Sequence, residues 1–277
     1  MLDILSYSFF QNALLGVLTV SIAAAIIGTY IVTRRMVFIA GGVTHACFGG
    51  LGLGYFLGIS PILTAGVFAV ASSLGVEWLS ARQNVREDSA IGVIWALGMA
   101  LGTLFIFLTP GYVPELNSFL FGNILTITTA DIVAFVAYLV VLLAFFGLFY
   151  RHIIACAFDP DFARTLSLPV TAINCVMTVL VAVCIVLTIR LIGIMLLLSL
   201  FTMPQMIAEN FSRHFSRMAL LSVAASALCS IAGLILSYVI DVPASSTIVI
   251  MLIAAYAVAR LLRAGGNKKR KKALIKQ

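Results

Sequence analysis

Between Phe9 and Arg263 the chain is a succession of apolar windows, each about as long as the roughly 20 residues that a helix needs to cross a bilayer core. They are interrupted only at charged or proline-marked points. Composition agrees, because 62% of the 277 residues are hydrophobic and 10% are charged, with a mean hydropathy of +1.16, against about 25% charged in a typical soluble domain. The sequence therefore predicts an all-α polytopic membrane protein with about 8–9 transmembrane helices. The windows lie at 9–33, 36–58, 61–80, 89–109, 129–150, 170–189, 191–208, 218–240 and 245–263. The 191–208 window is the weakest of the nine, since it turns polar early and contains Pro204. One membrane domain over 1–263 and a basic tail over 264–277 are expected, with no second domain, no internal repeat and no cleaved signal peptide.

Basic residues set the orientation, because short cytoplasmic loops retain Lys and Arg. With nine spans and the N-terminus outside, Arg34, Arg35, Arg82, Arg86, Arg151, Arg164, Arg213, Arg217, Arg260, Arg263 and the tail all fall on the cytoplasmic side. Of the 17 Lys and Arg only Arg190 is then left outside. The outer face holds Asp3, Glu115, Asp131 and Asp241, which either attract cations or merely follow from sorting of the positive charge. The tail from Lys268 to Lys272 reads as a topology anchor touching anionic lipid, not as a nucleic-acid site. Cys47, Cys156, Cys175, Cys184 and Cys229 form no C-x-x-C and lie mostly in apolar runs, so neither disulfides nor a cysteine metal cluster are expected.

Two cytoplasmic segments are organised beyond what a connector requires. In "LFTMPQMIAENFSRHFSR", Thr202 and Gln205 have the spacing of a capping box, and Pro204 sits in the first turn. Met203, Ile207, Phe211 and Phe215 recur every four residues, with Met206 beside them, which predicts an amphipathic helix of about three turns over 202–216. Periodicity leaves two roles open, an interfacial helix on lipid or a helix docking into a partner's groove. In "AFDPDFARTLSLP", Asp159 is positioned to cap, Pro160 to open and Asp161 to favour a second short helix that ends before Pro169.

Five stretches in this order resemble one family. They are the glycine-rich second span with "THA" around His45, "REDSAIGVIWALGMALG", "SFLFGNIL" from Ser118 to Leu125, "FDPDFARTLSLPV" and "LLSLFTMPQMIAENFSR". Together they resemble the permease subunits of bacterial ABC importers for manganese, zinc and ferrous iron. The resemblance implies the permease fold of the metal, vitamin and siderophore importers in a bacterial plasma (inner) membrane, a homodimer around a central pathway, a cytoplasmic ATPase dimer and an extracytoplasmic solute-binding protein. It makes the 202–216 segment, with Met203, Pro204, Ile207, Phe211 and Phe215, the coupling helix that inserts into the ATPase. No G-x-x-x-x-G-K-[ST] is present, so ATP is expected on the partner subunit and no cofactor on this chain; a divalent metal ion is the implied substrate.

The family pairs an Asp with a His four residues later on one face of the second span. Here His45 matches the histidine, and Gly41 stands where the acid would be. One imidazole is a poor site for a divalent ion, and Cys47, about 200° around the helix, cannot complete it. The residues three and four positions from His45 are Gly41, Gly42, Phe48 and Gly49, while Gly42, Ala46, Gly50, Gly54 and Gly58 form a small-residue stripe suited to close helix approach. Two readings of His45 follow, a polar residue bonded across a packed interface or a residue lining the pathway, and the family match tips the choice to the pathway. Glu77 is expected to pair with Arg82 or Arg86 at the cytoplasmic surface, and His152 and His214 to face solvent or a partner. A metal chelate or another small solute is the alternative cargo. A secondary carrier is disfavoured by the lack of a mid-span acid, and an enzyme by the lack of H-E-x-x-H or G-x-S-x-G.

Overall fold

The computed structural model describes residues 7–83, 85–111, 122 and 124–274, with side chains at all of these except 81–83, 125 and 264–274. The helices are α1 Ser8–Thr33, α2 Val37–Leu57, α3 Pro61–Gln83, α4 Glu87–Leu108, α5 Thr129–Phe158, α6 Pro160–Thr165, α7 Val170–Ile192, α8 Ile194–Leu200, α9 Met203–Glu209, α10 Phe215–Ile240 and α11 Ala244–Leu274. A short 3-10 turn at Ile124–Thr126 precedes α5. Glu115 and most of the "SFLFGNIL" stretch lie outside the described residues.

Eight of the described helices are long and apolar enough to cross a membrane, within the expected 8–9 and one fewer than the nine windows. The segment that fails is 191–208. Its first residues extend α7, Gly193 breaks the chain at φ 79°, and α8 and α9 follow as two seven-residue pieces. The chain nevertheless changes ends there. At one end of the bundle Arg190 pairs with Asp131 at 3.3 Å, and the Asn12 amide donates to the Ile127 carbonyl. At the other end Phe215 stacks on Phe146 and meets Tyr150 edge-on, and Arg263 donates to Asn210. The stretch Ile194–Glu209 joins these two ends, and at 1.5 Å per residue it is roughly 24 Å long, shorter than the ~30 Å apolar core. A broken crossing of this kind is tolerated in a membrane only where protein surrounds it, and Leu196, Leu197, Leu200 and Phe201 are all fully buried.

Burial divides the bundle into two layers. The apolar windows of α1, α2 and α7 are 61–72% buried, whereas those of α3, α5, α10 and α11 are 28% buried and that of α4 17%. The inner helices therefore hold the core, with Ile27, Ile31, Met177, Ile185 and Leu191 among its sealed side chains. The outer helices leave faces for lipid or other protein. Three ends differ most from expectation: α5 runs to Phe158, past the expected 150, by bending at Phe149, α10 begins at Phe215, and α11 continues to Leu274, past the expected 263 and into the basic tail. The capping of α6 is as expected, with Asp159 accepting from the Phe162 amide at 2.9 Å and Arg164 paired with Asp161. All five cysteines are unbridged thiols.

Candidate functional site

Nine of the residues from Ile39 to Gly58 are glycine, threonine or histidine, yet α2 is continuous because its glycines lie against neighbouring helices. A glycine inside a helix costs about 1 kcal/mol relative to alanine, which close packing in a membrane offsets. The i, i+4 stripe divides between two neighbours. Gly42 faces Ile91 and Ala46 faces Gly98, both on α4, while Gly50 and Gly54 face Thr64, Ala65 and Pro61 of α3. Gly58 does not pack at all; it is the left-handed C-cap of α2 at φ 67°, its amide bonded to Tyr55 and Gly54. Close contacts with α4 also extend beyond the glycines of the stripe. A β-carbon on Gly52 would lie 2.5 Å from the Gly102 carbonyl oxygen, and one on Gly98 would collide with the Ala46 backbone. The Gly98/Gly102 spacing in "ALGMALG" carried that signal.

His45 projects from the edge of this interface, half-buried. Its ring lies flat on Trp95 of α4, with centroids 4.4 Å apart and planes at 3°, and is also stacked against Phe48 at 6.0 Å. Its Nδ1 is buried and has no hydrogen-bond partner. The expected groove of bare backbone is thus filled by Ile91 at Gly42 and by Phe68 at Gly49, but remains open at Gly41, where a β-carbon would meet only Leu198 Cδ2, at 3.8 Å. A buried polar atom without a partner is uncommon and unfavourable, and the hydrogen bond to a neighbouring helix that a packing role requires at Nδ1 is not made. The stacked indole fixes the imidazole plane, an orienting role that metal-bound histidines more often obtain from a hydrogen bond. Trp95 was missed as a site residue because a Trp in an apolar helix reads as lipid-facing. Among the described residues no three His, Cys, Asp or Glu come together, so protein ligands for a metal at His45 are sparse.

The 202–216 segment is not one amphipathic helix. α9 spans Met203–Glu209, a turn follows, and Phe215 already belongs to α10. The capping box does not form: Thr202 donates to the Leu198 carbonyl, and Gln205 turns inward to donate to the carbonyls of Ala24 at 3.0 Å and Leu200 at 3.3 Å. Room for that amide comes from Gly28, where any β-carbon would strike it. Pro204, Ile207 and Phe215 are consequently buried and Met203 half-buried, whereas Phe211 is 59% exposed. Exposed around it are Met206, Glu209, Arg213, His214 and Arg217. Arg213 to Arg217 also form, with Tyr150, Ile154 and Phe158, the wall of an open cavity of about 490 Å³.

The remaining polar residues depart from expectation in one place. Glu77 accepts a hydrogen bond from Thr178 of α7 at 2.7 Å, and the ion pairs among the described side chains are Arg164–Asp161 and Arg190–Asp131, so Arg86 is not its partner. His214 is exposed as expected, while His152 is half-buried with Nδ1 unpartnered.

Comparison with known proteins follows this geometry closely. Residues 6–263 match the model of the ABC 3 transport family. The "Probable metal transport system membrane protein" of Chlamydia pneumoniae is 34% identical over 248 residues, covering 87% of this chain and 85% of that one. The manganese transport system membrane protein MntC of Listeria monocytogenes is 26% identical over 258 residues, covering 93% and 92%. Among solved structures, PsaBC from Streptococcus pneumoniae in complex with a Fab superimposes with a TM-score of 0.81 at 25% identity, over 93% of each chain.

Proposed function

The chain belongs to the ABC 3 transport family, and from that premise we propose that it is the membrane permease of an ATP-driven importer that passes a divalent transition-metal ion, of the manganese, zinc or ferrous iron group, toward the cytoplasm. The observation that carries this reading is the match along nearly the whole chain, supported by relatives named for metal and manganese transport. ATP hydrolysis belongs to a separate ATPase, a second copy of this chain completes the pathway, and an extracytoplasmic binding protein delivers the ion. The arginine-rich end of the bundle faces the cytoplasm, so the N-terminus is outside and the C-terminus inside, an orientation that the α8–α9 crossing preserves despite eight long helices. The basic tail anchors that end to anionic lipid.

In this reading His45 lines the pathway and Phe211 is the principal contact of the ATPase, with Met203, Pro204, Ile207 and Phe215 shaping the base from which it projects. A metal chelate is a second reading, favoured by Gly41: the vacant carboxylate position leaves room for a cargo that brings its own ligands. The test is uptake of manganese, zinc and iron, bare and chelated, by cells supplied with this chain, its ATPase and its binding protein. The expected result is ATP-dependent uptake of at least one bare ion, reduced in His45→Ala. Uptake of all three unchanged in His45→Ala makes the histidine structural, and uptake that proceeds without the ATPase overturns the importer reading.

A further inference from the structure

Glu77 and Thr178 are one edge of a larger polar group. Ser73 lies four residues before Glu77 on α3, and Asn174 four residues before Thr178 on α7, so each pair shares a helix face. The 2.7 Å bond from Thr178 to Glu77 brings those faces together. Depth agrees: Glu77 is six residues from the end of α3 at Gln83, and Asn174 four from the start of α7 at Val170, roughly 9 and 6 Å from the arginine-rich end of the bundle. Ser73 is 1% and Asn174 9% exposed, and the Ser73 hydroxyl and the Asn174 carbonyl oxygen are both without a hydrogen-bond partner. A serine or threonine in a membrane helix can bond the carbonyl one turn back, as Thr29, Thr33, Thr44 and Ser199 do here and Ser21, Ser222, Ser226 and Ser230, like Ser73, do not. Two buried oxygens left open beside a half-buried carboxylate are unfavourable unless something fills them.

Resting on the reading that this chain passes metal ions, we propose that Ser73, Glu77, Asn174 and Thr178 form a second cation station, distinct from His45, that takes a hard divalent ion of the manganese class on its way to the cytoplasmic end. The donor set is one carboxylate, one amide carbonyl and two hydroxyls. Such all-oxygen sets suit magnesium, calcium and manganese, whereas imidazole and thiolate select zinc and copper. Charge makes the station weak: a single carboxylate neutralises half of a divalent ion, and the Arg34 guanidinium, held by the Tyr30 hydroxyl at 3.1 Å, lies within electrostatic range of Glu77. Weak binding suits a transit site, which must admit the ion and then release it.

The test is a manganese titration of the purified full-length chain in lipid nanodiscs, following loss of the free-ion electron paramagnetic resonance signal. Glu77→Gln is nearly isosteric and keeps an oxygen to accept from Thr178, so the α3–α7 contact survives. It is expected to weaken one component of manganese binding by about tenfold or more, while His45→Ala leaves that component in place. Zinc added in competition should displace manganese from it with a far smaller advantage than at a site built on imidazole or thiolate. Asn174→Asp tests the same station in the opposite direction, since an added carboxylate should tighten manganese binding by about tenfold. Manganese binding unchanged in both Glu77→Gln and Asn174→Asp overturns the station and leaves the four residues as a hydrated clamp between helices. That outcome is separable from failure of the importer reading, which is judged by ATP-dependent uptake in cells.

Discussion

α2 and the α8–α9 crossing touch at Gly41 and Leu198, yet they accommodate a crowded core in opposite ways. α2 stays helical for 21 residues because glycines let it press against the backbones of α3 and α4. The α8–α9 segment gives up helicity at Phe201–Thr202 and satisfies the broken turn with one side chain, Gln205, bonded across to α1. Backbone-to-backbone contact has almost no slack, whereas a side-chain strap leaves discrete alternatives. The contrast puts the rigid part of the molecule at His45 and the adjustable part on the stretch that leads to exposed Phe211.

The largest effect that tests this difference is expected at the rigid face. Gly98→Val places a side chain into the Ala46 backbone, which cannot yield, so we expect a loss of at least about 1–3 kcal/mol and sharply reduced folded protein by size-exclusion chromatography. Gly92→Ala, on the same helix but with nothing within 4 Å, should be neutral or slightly stabilising. Equal damage from both would mean that α2 and α4 do not meet through Gly98. The next effect is Gln205→Leu, which removes the two bonds of the strap and is expected to destabilise by about 1–2 kcal/mol, read as a lower melting temperature. Because Leu196, Leu197, Leu200 and Phe201 stay buried around the break, the protein should still fold. A melting temperature equal to the parent's would show that Gln205 does not hold the break.

Phe211→Ala is expected to leave the melting temperature within experimental error, since the ring is 59% exposed, and to abolish most stimulation of the ATPase by substrate. Phe215→Ala sharpens the same point from the other side: its ring is buried against Phe146 and Tyr150, so it should lower the melting temperature as well. If the two variants behave alike in stability, the exposed turn and the buried base are not the separate units that the structure assigns.

Most of the helices were legible in the sequence because a span is specified by apolar length alone, and α1, α2, α4, α7 and α11 begin within a few residues of expectation. The α8–α9 break was only half legible. Pro204 and early polarity marked 191–208 as weak, but the four-residue recurrence of Met203, Ile207, Phe211 and Phe215 described a helix that does not exist, since the chain turns between Glu209 and Phe215. Periodicity cannot tell an exposed stripe from a buried one, and here tertiary demand on Gln205 outweighed the local capping pattern. At the site, His45 and Gly41 could be found in the sequence by spacing, whereas Trp95 and the Glu77–Thr178 bond depend on which helices become neighbours. Separations of 50 and 101 residues leave no local trace.

The smallest expected effect on stability, and the most informative about cargo, is at Gly41. Gly41→Ala should be neutral or mildly stabilising, because the α-helical backbone suits alanine and the nearest atom, Leu198 Cδ2, lies at ordinary contact distance. The same space admits a larger side chain, so Gly41→Asp should also fold, with its carboxylate one helical turn from the imidazole of His45 on the same face. Two unlike ligands at that spacing form a better site for a bare divalent ion than an imidazole alone, so metal affinity measured on the purified chain should rise and depend on His45. If cargo enters as a chelate, the added carboxylate instead occupies the room that Gly41 leaves, and uptake of the chelated form should fall while uptake of the bare ion does not. A variant that binds metal no better than the parent, with His45 still stacked on Trp95, would place the ion's path elsewhere and return His45 to a packing role.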